Sequence, residues 1–306
     1  MMITVLKQMR ELADKDFSLL VKAIRCYRQQ LRLFSDSPLH SKFNLNDFSL
    51  ILDGFCYYQY ASDLYGDADP HKFFVFEDLK LAYLELPKVA CTSIKTTIGR
   101  SYGISPANAM DIHEHPSWHQ HLGLLNGVHR SYYTFAFVRN PFERLVSCYR
   151  DKVIYSGSNE IYSTPYFQQY YYFPIPANIP FSEFVERVAR IPDCLADRHF
   201  KSQSAFLYHQ GKLLVDYVGK FEALARDWKT IAVKYGFDTE LDHQHTTKAK
   251  RGAHHDYRTY YTKELAQLVY QRYKADVELF GYQAKYRELM DYLCDKSEAS
   301  KTGNKK

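Results

Sequence analysis

The 306-residue sequence lacks long apolar segments, and its cysteines are few and scattered. No stretch approaches the roughly 18 uninterrupted apolar residues that indicate a transmembrane helix. The first residues, MMITVLKQMRELADKDF, carry charges in every turn and lack the apolar core of a secretory signal. These absences predict a cytoplasmic protein without a transmembrane segment and leave peripheral membrane contact open. The six cysteines form no Cys-x-x-Cys pair, so neither a zinc ribbon nor a disulfide framework is indicated.

The excess of positive charge is small, and a Walker-type phosphate loop is absent. Forty Lys and Arg residues against 35 Asp and Glu residues give a net charge of +5. This balance suits an anionic ligand without requiring nucleic acid, which is not expected as a partner. The sequence has no GxxxxGK[ST] segment, which argues against a nucleoside triphosphate hydrolase.

Periodic patterns predict helices at the N-terminus and an α/β domain after them. Apolar residues recur at helical spacing over residues 4–35 and 43–65. Short apolar runs typical of strands in a parallel sheet occur at 81–86, 132–138 and 213–218. A last long helix is predicted over 263–280, ending at Gly281.

These patterns predict three regions in the chain. Residues 1–70 are expected to form a helical extension and residues 71–293 the main α/β domain. Residues 294–306 are expected to be a disordered polar tail.

The first candidate site follows the first predicted strand, in the segment Pro87-Lys-Val-Ala-Cys-Thr-Ser93. A helix N-terminus presents unpaired backbone N–H groups and the positive end of its dipole. Lys88 and two hydroxyl groups at this place would complete a cradle for phosphate or sulfate. The alternative is that Thr92 or Ser93 only caps the helix while Lys88 is solvated.

The second candidate site follows the next strand, in the segment FVRNPFERLVSCYR. Arg139 comes at the carboxyl end of that strand, where open α/β sheets bind ligands. Asn140 and Pro141 are typical of a helix start. Ser147 falls off the apolar stripe of this helix, so Arg139 and Ser147 could together hold a second anion. A capped amphipathic helix with an incidental arginine is the alternative.

Together, PKVACTSIK and FAFVRNPFERLVSCYRDK resemble the paired cofactor-binding motifs of the carbohydrate sulfotransferases. That family includes Golgi chondroitin, dermatan, HNK-1 and uronyl sulfotransferases and has bacterial relatives. The similarity continues through DRHFKSQ, DYVGKFE and YKADVELFGY, and it covers roughly residues 73–283. It implies a P-loop-like three-layer α/β fold with a central, mostly parallel sheet.

The resemblance also implies an activity, which is transfer of a sulfuryl group from 3′-phosphoadenosine 5′-phosphosulfate (PAPS) to a carbohydrate hydroxyl, with no metal. The residues implied to hold the 5′-phosphosulfate are Lys88, Ala90, Cys91, Thr92 and Ser93. Arg139 and Ser147 are implied to hold the 3′-phosphate. Lys88 would also be catalytic, because neutralising charge on the transferred group dominates such reactions. The sequence has no membrane anchor, which favours a bacterial-type soluble enzyme.

The basic loop that contains Lys248 and Gly252 is expected to close over the nucleotide, where basic and backbone groups would meet the 3′-phosphate. A solvated loop is the alternative. His199, Lys201 and Gln203 are implied to contact the acceptor or the cofactor, although a polar helix start would explain them as well. Tyr166, in the Tyr-rich segment 154–181, would stack on a sugar ring. Packing against the N-terminal helices or a dimer contact is the alternative for that segment.

A general base must take the proton of the acceptor hydroxyl. Five histidines lie between the two motifs: His113, His115, His119, His121 and His129. The resemblance places a histidine base in this interval, and we favour His113, then His115, with Glu114 as another candidate. A zinc site built from the HEH and HQH segments is a rival interpretation, because imidazole is a good zinc ligand.

Two other functions stay open on the sequence. A nucleotide-dependent kinase is disfavoured because no Walker lysine context and no evident magnesium carboxylate are present. A non-catalytic nucleic-acid-binding protein is disfavoured because the positive charge is modest and belongs to no recognised binding module.

Overall fold

The computed structural model describes residues 2–33, 47–49, 51–52, 55, 72–104, 112, 119–122, 125, 127–155, 175–241 and 256–303. Its α-helices are α1 (Met2–Lys15), α2 (Phe17–Leu33), α3 (Cys91–Ser101), α4 (Pro141–Tyr149), α5 (Phe181–Arg190), α6 (Gln203–Leu207), α7 (Leu224–Tyr235), α8 (Lys263–Arg272), α9 (Lys274–Leu279) and α10 (Gln283–Gly303). Its strands are β1 (Lys72–Phe76), β2 (Leu81–Leu84), β3 (His119–Leu122), β4 (Tyr133–Val138), β5 (Tyr208–His209), β6 (Lys212–Leu213) and β7 (Tyr217–Lys220).

The chain forms two compact units, and each is discontinuous in sequence. The sheet unit consists of Asp69–Asn140 and Gln203–Thr259. The helical unit consists of Met1–Ala68, Pro141–Ser202 and Tyr260–Lys306.

The sheet unit is built on a five-stranded sheet in the order β3-β1-β2-β4-β7. β2, β4 and β7 pair in parallel, whereas β1 is antiparallel to both β2 and β3. Four of the five strands therefore point in one direction, which confirms the prediction of an α/β protein with a mostly parallel sheet. Every residue of β2 is buried, as expected for a central strand whose faces are both covered.

The third predicted strand is displaced along the chain. β7 begins only at Tyr217, whereas Leu213 lies in the short β5–β6 hairpin and is 43% exposed. The reason is a tight turn at Gln210 and Gly211, both with positive φ, which folds Leu213 back against Tyr208. β7 then packs closely on β4, where a Cβ atom at Gly219 would overlap the Phe137 ring.

The helical unit packs amphipathic helices around an aromatic core. α1 and α2 contact each other, and α8 contacts α4, α5 and α10. The buried residues of α5 recur at helical spacing and are Phe181, Phe184, Val185, Val188 and Ala189. The Tyr149 ring contacts Phe181 and Tyr260 edge to face, so aromatic rings pack against one another in this core.

Several predicted boundaries can be compared with the structure. The N-terminal helices are confirmed as α1 and α2, whereas most of the segment 43–65 lies outside the described residues. The predicted helix 263–280 is interrupted at Tyr273, and Gly281 follows it with a left-handed φ of 68°. α10 continues to Gly303, so it includes most of the segment predicted as a tail.

Two buried arginines hold the segment Arg198–Ser202 in the helical unit. Arg144 donates to the carbonyl oxygens of Lys201 at 2.8 Å and Arg198 at 3.0 Å. Arg272 donates to Ser202 Oγ at 3.0 Å and to Asp193 Oδ1 at 2.6 Å. The same Asp193 oxygen accepts the backbone N–H of Ser202 at 2.9 Å. The conformation of residues 198–202 therefore depends on Arg144 and on the Arg272–Asp193 ion pair.

Replacing Arg272 with alanine is expected to lower the free energy of unfolding by about 2 kcal/mol, because Asp193 loses its charged partner. This loss is smaller than the roughly 3 to 5 kcal/mol expected for a fully buried ion pair, because the Asp193 side chain is 33% exposed and therefore partly screened by water. Urea unfolding measures this loss. The exposed variant Lys274→Ala is the control, with a change of less than about 0.5 kcal/mol.

Arg272→Ala should also change how the stability of the fold depends on pH in acid. Burial acts to raise the pKa of Asp193, but the Arg272 charge and hydrogen bonds lower it overall. A carboxyl group with a lowered folded-state pKa stabilises the fold above its unfolded pKa of about 3.9, and the contribution is lost as pH falls through the folded value. The difference between wild type and variant should therefore shrink in urea titrations below about pH 4. A difference that is independent of pH would show that the ion pair is not its cause.

Candidate active site

The loop between β2 and α3 has an unusual backbone. Lys88 and Ala90 have φ values of 71° and 69°, in the left-handed region that non-glycine residues rarely adopt. Ala90 is the N-cap of α3 and makes no side-chain cap hydrogen bond. A left-handed residue followed by a right-handed one turns successive N–H groups into one concavity, which is an anion-binding nest. The backbone at Ala90 and Cys91 has the geometry of such a nest. That it binds a phosphate or sulfate stays a prediction.

The position of the N-cap also decides an alternative left open by the sequence. Because α3 begins at Cys91, Thr92 and Ser93 are the second and third residues of the helix. Neither is the N-cap, so the interpretation of these hydroxyls as cap residues is wrong. Both side chains are half-buried in the first helical turn, where the positive end of the helix dipole favours an anion.

A buried charged cluster lies at the end of β2, close in sequence to the cradle. The Lys95 ammonium is fully buried and contacts Glu85 Oε1, and the Lys72 ammonium is 4.0 Å from Glu85 Oε2. Both ammonium groups also lie over the Phe74 ring. Two positive charges accompany one carboxylate, so this cluster does not oppose an anion in the loop.

The thiol of Cys91 is held in its neutral form. Burial and then the Glu85 charge raise the pKa of this thiol, and Lys95 and Lys88 oppose the change only in part. A thiolate is the reactive form of cysteine, so Cys91 is suited to a weak hydrogen bond and not to nucleophilic attack.

The two sequence motifs meet at the carboxyl ends of β2 and β4. Arg139 Nη1 donates to the carbonyl oxygen of Lys88 at 3.2 Å. The Arg139 guanidinium also lies over the Phe221 ring, with Cζ 4.0 Å from the ring centroid. Phe221 follows β7 directly, so three neighbouring parallel strands contribute residues to one end of the sheet. This placement is the one expected for a ligand site in an open α/β sheet.

The backbone of Arg139 is fixed by the side chain of Gln203. Gln203 Oε1 accepts the Arg139 N–H at 2.8 Å, and Gln203 Nε2 donates to the Arg139 carbonyl oxygen at 2.8 Å. Gln203 is completely buried. The sequence placed this residue at the acceptor or cofactor, whereas the structure places its amide on the backbone of an implied phosphate-binding residue.

Replacing Gln203 with alanine is therefore expected to lower the free energy of unfolding by about 2 kcal/mol, because two buried backbone groups lose their partners. The variant should also bind adenosine 3′,5′-bisphosphate more weakly than wild type, since Arg139 is no longer held. Urea unfolding and calorimetric titration measure the two effects. The variant Gln210→Ala, in an exposed turn, should change neither quantity, and equal effects in both variants would contradict the role of Gln203.

Asn140 connects the site to the end of the basic loop. Its backbone N–H donates to Glu222 Oε1 at 2.6 Å, and its Nδ2 donates to the Tyr257 hydroxyl at 3.2 Å. Tyr257 follows the loop that contains Lys248 and Gly252, which both lie outside the described residues. The described end of that loop is thus held beside the Arg139–Asn140 corner.

Three other predicted site residues, His199, Lys201 and Ser147, lie in the helical unit. His199 Nδ1 is 2.7 Å from Asp197 Oδ1, which also accepts the His199 backbone N–H. Lys201 is 4% exposed, and its carbonyl oxygen accepts from Arg144. Ser147 lies on α4 and is half-buried.

One of the five histidines lies far from the cradle. His129 Nε2 is 2.9 Å from Glu77 Oε1, in the turn between β1 and β2. That turn lies at the amino end of β2, and the cradle follows its carboxyl end. His119 and His121 belong to the edge strand β3. His113, Glu114, His115 and Tyr166 lie outside the described residues.

Sequence reasoning gave no role to Phe221, Glu222 or Tyr257. A signal was present for the first two, because an aromatic and an acidic residue come directly after a parallel strand, at the edge where Arg139 also lies. Tyr257 carries no such signal, since its contact with Asn140 spans 117 residues.

Neither a metal cluster nor a membrane span is found in the part of the chain that the structure describes. No group of three or more potential metal ligands occurs among those residues. The zinc interpretation relied on the HEH and HQH segments; His113 and His115 of the first segment lie outside the described ranges, so it stays a prediction. No helix within the same ranges is long and apolar enough to cross a membrane.

Comparison with known proteins identifies relatives. The chain is 28% identical to carbohydrate sulfotransferase 11 of Mus musculus over 246 residues, which cover 68% of this chain and 66% of that protein. It is 26% identical to carbohydrate sulfotransferase 9 of Homo sapiens over 238 residues, which cover 69% of this chain and 53% of that protein. The chain thus spans between about half and two thirds of these relatives. No solved structure matches it significantly.

These relatives correct the predicted location. The sequence predicted a cytoplasmic, bacterial-type soluble enzyme from the absence of a signal and an anchor. The similar carbohydrate sulfotransferases are Golgi-type enzymes, so the cytoplasmic assignment is wrong. The physical reason is that the absence of a long apolar segment does not specify a compartment.

A protein-family model covers more than half of the chain. The model described as the sulfotransferase family matches residues 71–283. The match contains β2, the Lys88–Cys91 loop, Arg139, Gln203 and Phe221, which form the candidate site in the sheet unit. The resemblance drawn from PKVACTSIK and FAFVRNPFERLVSCYRDK is therefore confirmed, and the chain belongs to the sulfotransferase family.

Proposed function

We propose that the protein transfers a sulfuryl group from PAPS to a hydroxyl group of a carbohydrate. The observation that carries the proposal is the contact between the two motifs, where Arg139 donates to the carbonyl oxygen of Lys88 beside a left-handed, nest-forming backbone. The names of the relatives, carbohydrate sulfotransferases 11 and 9, support a carbohydrate as the acceptor.

The residues of the sheet unit fit the donor chemically. The nest at Ala90 and Cys91 offers backbone N–H groups, and Lys88 adds a positive charge. Arg139 offers a planar guanidinium, which suits a phosphate in two-point contact. We retain the expectation that the first set binds the 5′-phosphosulfate and that Arg139, with Ser147, binds the 3′-phosphate. We also propose that this loop is the glycine-free counterpart of a P-loop within the domain 71–293.

The catalytic step is proposed to depend on positioning and charge. PAPS supplies an activated sulfuryl group when bound. Lys88 and the first-turn amides of α3 then stabilise negative charge on the transferred group and the leaving oxygen. Cys91 stays a neutral thiol, so transfer directly to the acceptor is favoured over a cysteine-bound intermediate.

We propose a histidine as the general base, with His113 first and His115 second. The position of His129 argues against His129 itself as the base, because it is paired with Glu77 at the opposite end of β2 from Lys88. Glu114 stays the other candidate. We propose that His199, Lys201 and Tyr166 act at the acceptor side.

Calorimetric titration with adenosine 3′,5′-bisphosphate tests the donor site without an acceptor. We expect binding that is at least about tenfold tighter than binding of AMP, since a charge-assisted contact to the 3′-phosphate contributes about 1.5 to 3 kcal/mol. A preference for ATP with magnesium would favour the kinase interpretation. Absence of binding to all three nucleotides would contradict both motif assignments.

A further inference from the structure

Two thiols lie in contact in the helical unit. Cys26 Sγ on α2 and Cys194 Sγ in the short helix Asp193–Leu195 are 3.2 Å apart. The sulfur atoms of a disulfide are roughly 2 Å apart, so a movement of about 1 Å would join them. Cys194 is exposed and Cys26 is half-buried, so a reagent from solvent can reach the pair. Among the described cysteines, the others lie elsewhere in the sequence, at Cys91, Cys148 and Cys294.

We propose that Cys26 and Cys194 form a disulfide bond when a small-molecule disulfide is present as the oxidant. The bond would link α2, which precedes the matched family region 71–283, to a segment within that region. It would therefore fasten the N-terminal helices covalently to the part of the helical unit that the family model matches.

The chemistry balances with glutathione disulfide as the oxidant. Cys26 loses its proton and attacks one glutathione sulfur, which releases one glutathione and leaves a mixed disulfide on Cys26. Cys194 loses its proton and attacks the Cys26 sulfur, which releases the second glutathione and closes the bond. Two electrons pass from the cysteines to glutathione disulfide, and the two protons end on the released thiols. The hydrogen bond from Cys194 lowers the pKa of Cys26, which favours Cys26 as the first nucleophile.

The neighbouring contacts show what the bond would secure. Asp193, next to Cys194, accepts from Arg272 and from the backbone of Ser202. A disulfide at Cys194 would thus restrain Asp193, and the Asp193 carboxylate in turn holds the backbone of Ser202. Disulfides persist in oxidising compartments and are reduced in the cytosol, so the state of the pair would follow the redox poise around the protein.

Peptide mapping of the native full-length chain tests the proposal. The folded, reduced protein is equilibrated without denaturant in buffers of increasing glutathione disulfide, alkylated and digested. We expect a peptide that joins Cys26 to Cys194 to become the main oxidised species. The matched control Cys294→Ser should leave this species unchanged, and Cys26→Ser or Cys194→Ser should abolish it.

A second readout distinguishes bond formation in the folded protein from damage. The unfolding midpoint of the oxidised wild type should exceed that of the reduced form by roughly 5 °C, because the bond closes a long loop. Neither cysteine variant should show this shift. Recovery of Cys26 and Cys194 as separate glutathione adducts, or joined to other cysteines, would overturn the proposal. None of these readouts uses a nucleotide, so the outcome is independent of the proposed function.

Discussion

Replacement of Lys88 by alanine is expected to lower the rate of sulfuryl transfer by roughly 10²- to 10³-fold while leaving the fold intact, as removal of one preorganised donor does in other enzymes. The reason is that Lys88 lies in the loop that leads into α3, where we propose that the transferred group binds. Binding of adenosine 3′,5′-bisphosphate should weaken much less, because this product lacks the sulfuryl group. The effect should therefore appear mainly in kcat.

The measurement is the rate of adenosine 3′,5′-bisphosphate formation from PAPS, with desulfated chondroitin as the probe acceptor. Lys80→Ala is a matched control, because Lys80 is also a lysine with a positive φ, but it lies in an exposed turn at the other end of β2. Each variant replaces one left-handed residue by another, so the backbone strain is similar. Equal rates for wild type and Lys88→Ala would refute the assignment of Lys88.

The features that local sequence predicts well are the strand-to-helix units that carry the two motifs. β2, β4, α3 and α4 all occur where periodicity places them, because each pattern is complete within about ten residues. The position of Arg139 at a strand end follows from the same local pattern. The family motifs were therefore found in their correct structural setting.

The features that sequence reasoning missed depend on distant contacts. Gln203 holds Arg139 across 64 residues, and Asn140 meets Tyr257 across 117. No periodic pattern records such a pairing, because it depends on how segments that are distant in sequence pack together. The prediction that a strand begins at Leu213 was wrong for a different reason. An apolar run does not reveal that the turn at Gly211 takes Leu213 out of the five-stranded sheet.

Replacement of Arg139 by alanine is expected to remove the preference for a 3′-phosphate. The dissociation constant for adenosine 3′,5′-bisphosphate should rise about 10- to 100-fold, the effect of losing a charge-assisted hydrogen bond, whereas that for AMP should change little. Calorimetric titration of wild type and variant with both nucleotides measures this difference. The ratio of the two constants is informative because a general loss of structure would weaken both.

The control for Arg139 is an arginine of the same unit that the site does not use. Arg226 on α7 has a side chain that is 78% exposed and paired with Asp227, so Arg226→Ala should leave both constants unchanged. Arg139→Lys keeps the charge and loses the planar fork, and we expect it to recover only part of the preference. An equal loss of affinity for both nucleotides in Arg139→Ala would mean that Arg139 holds the loop at Lys88 and does not bind the 3′-phosphate. This alternative has a physical basis, because Arg139 donates to the Lys88 carbonyl oxygen. The AMP titration distinguishes it from binding of the 3′-phosphate, since AMP has no 3′-phosphate.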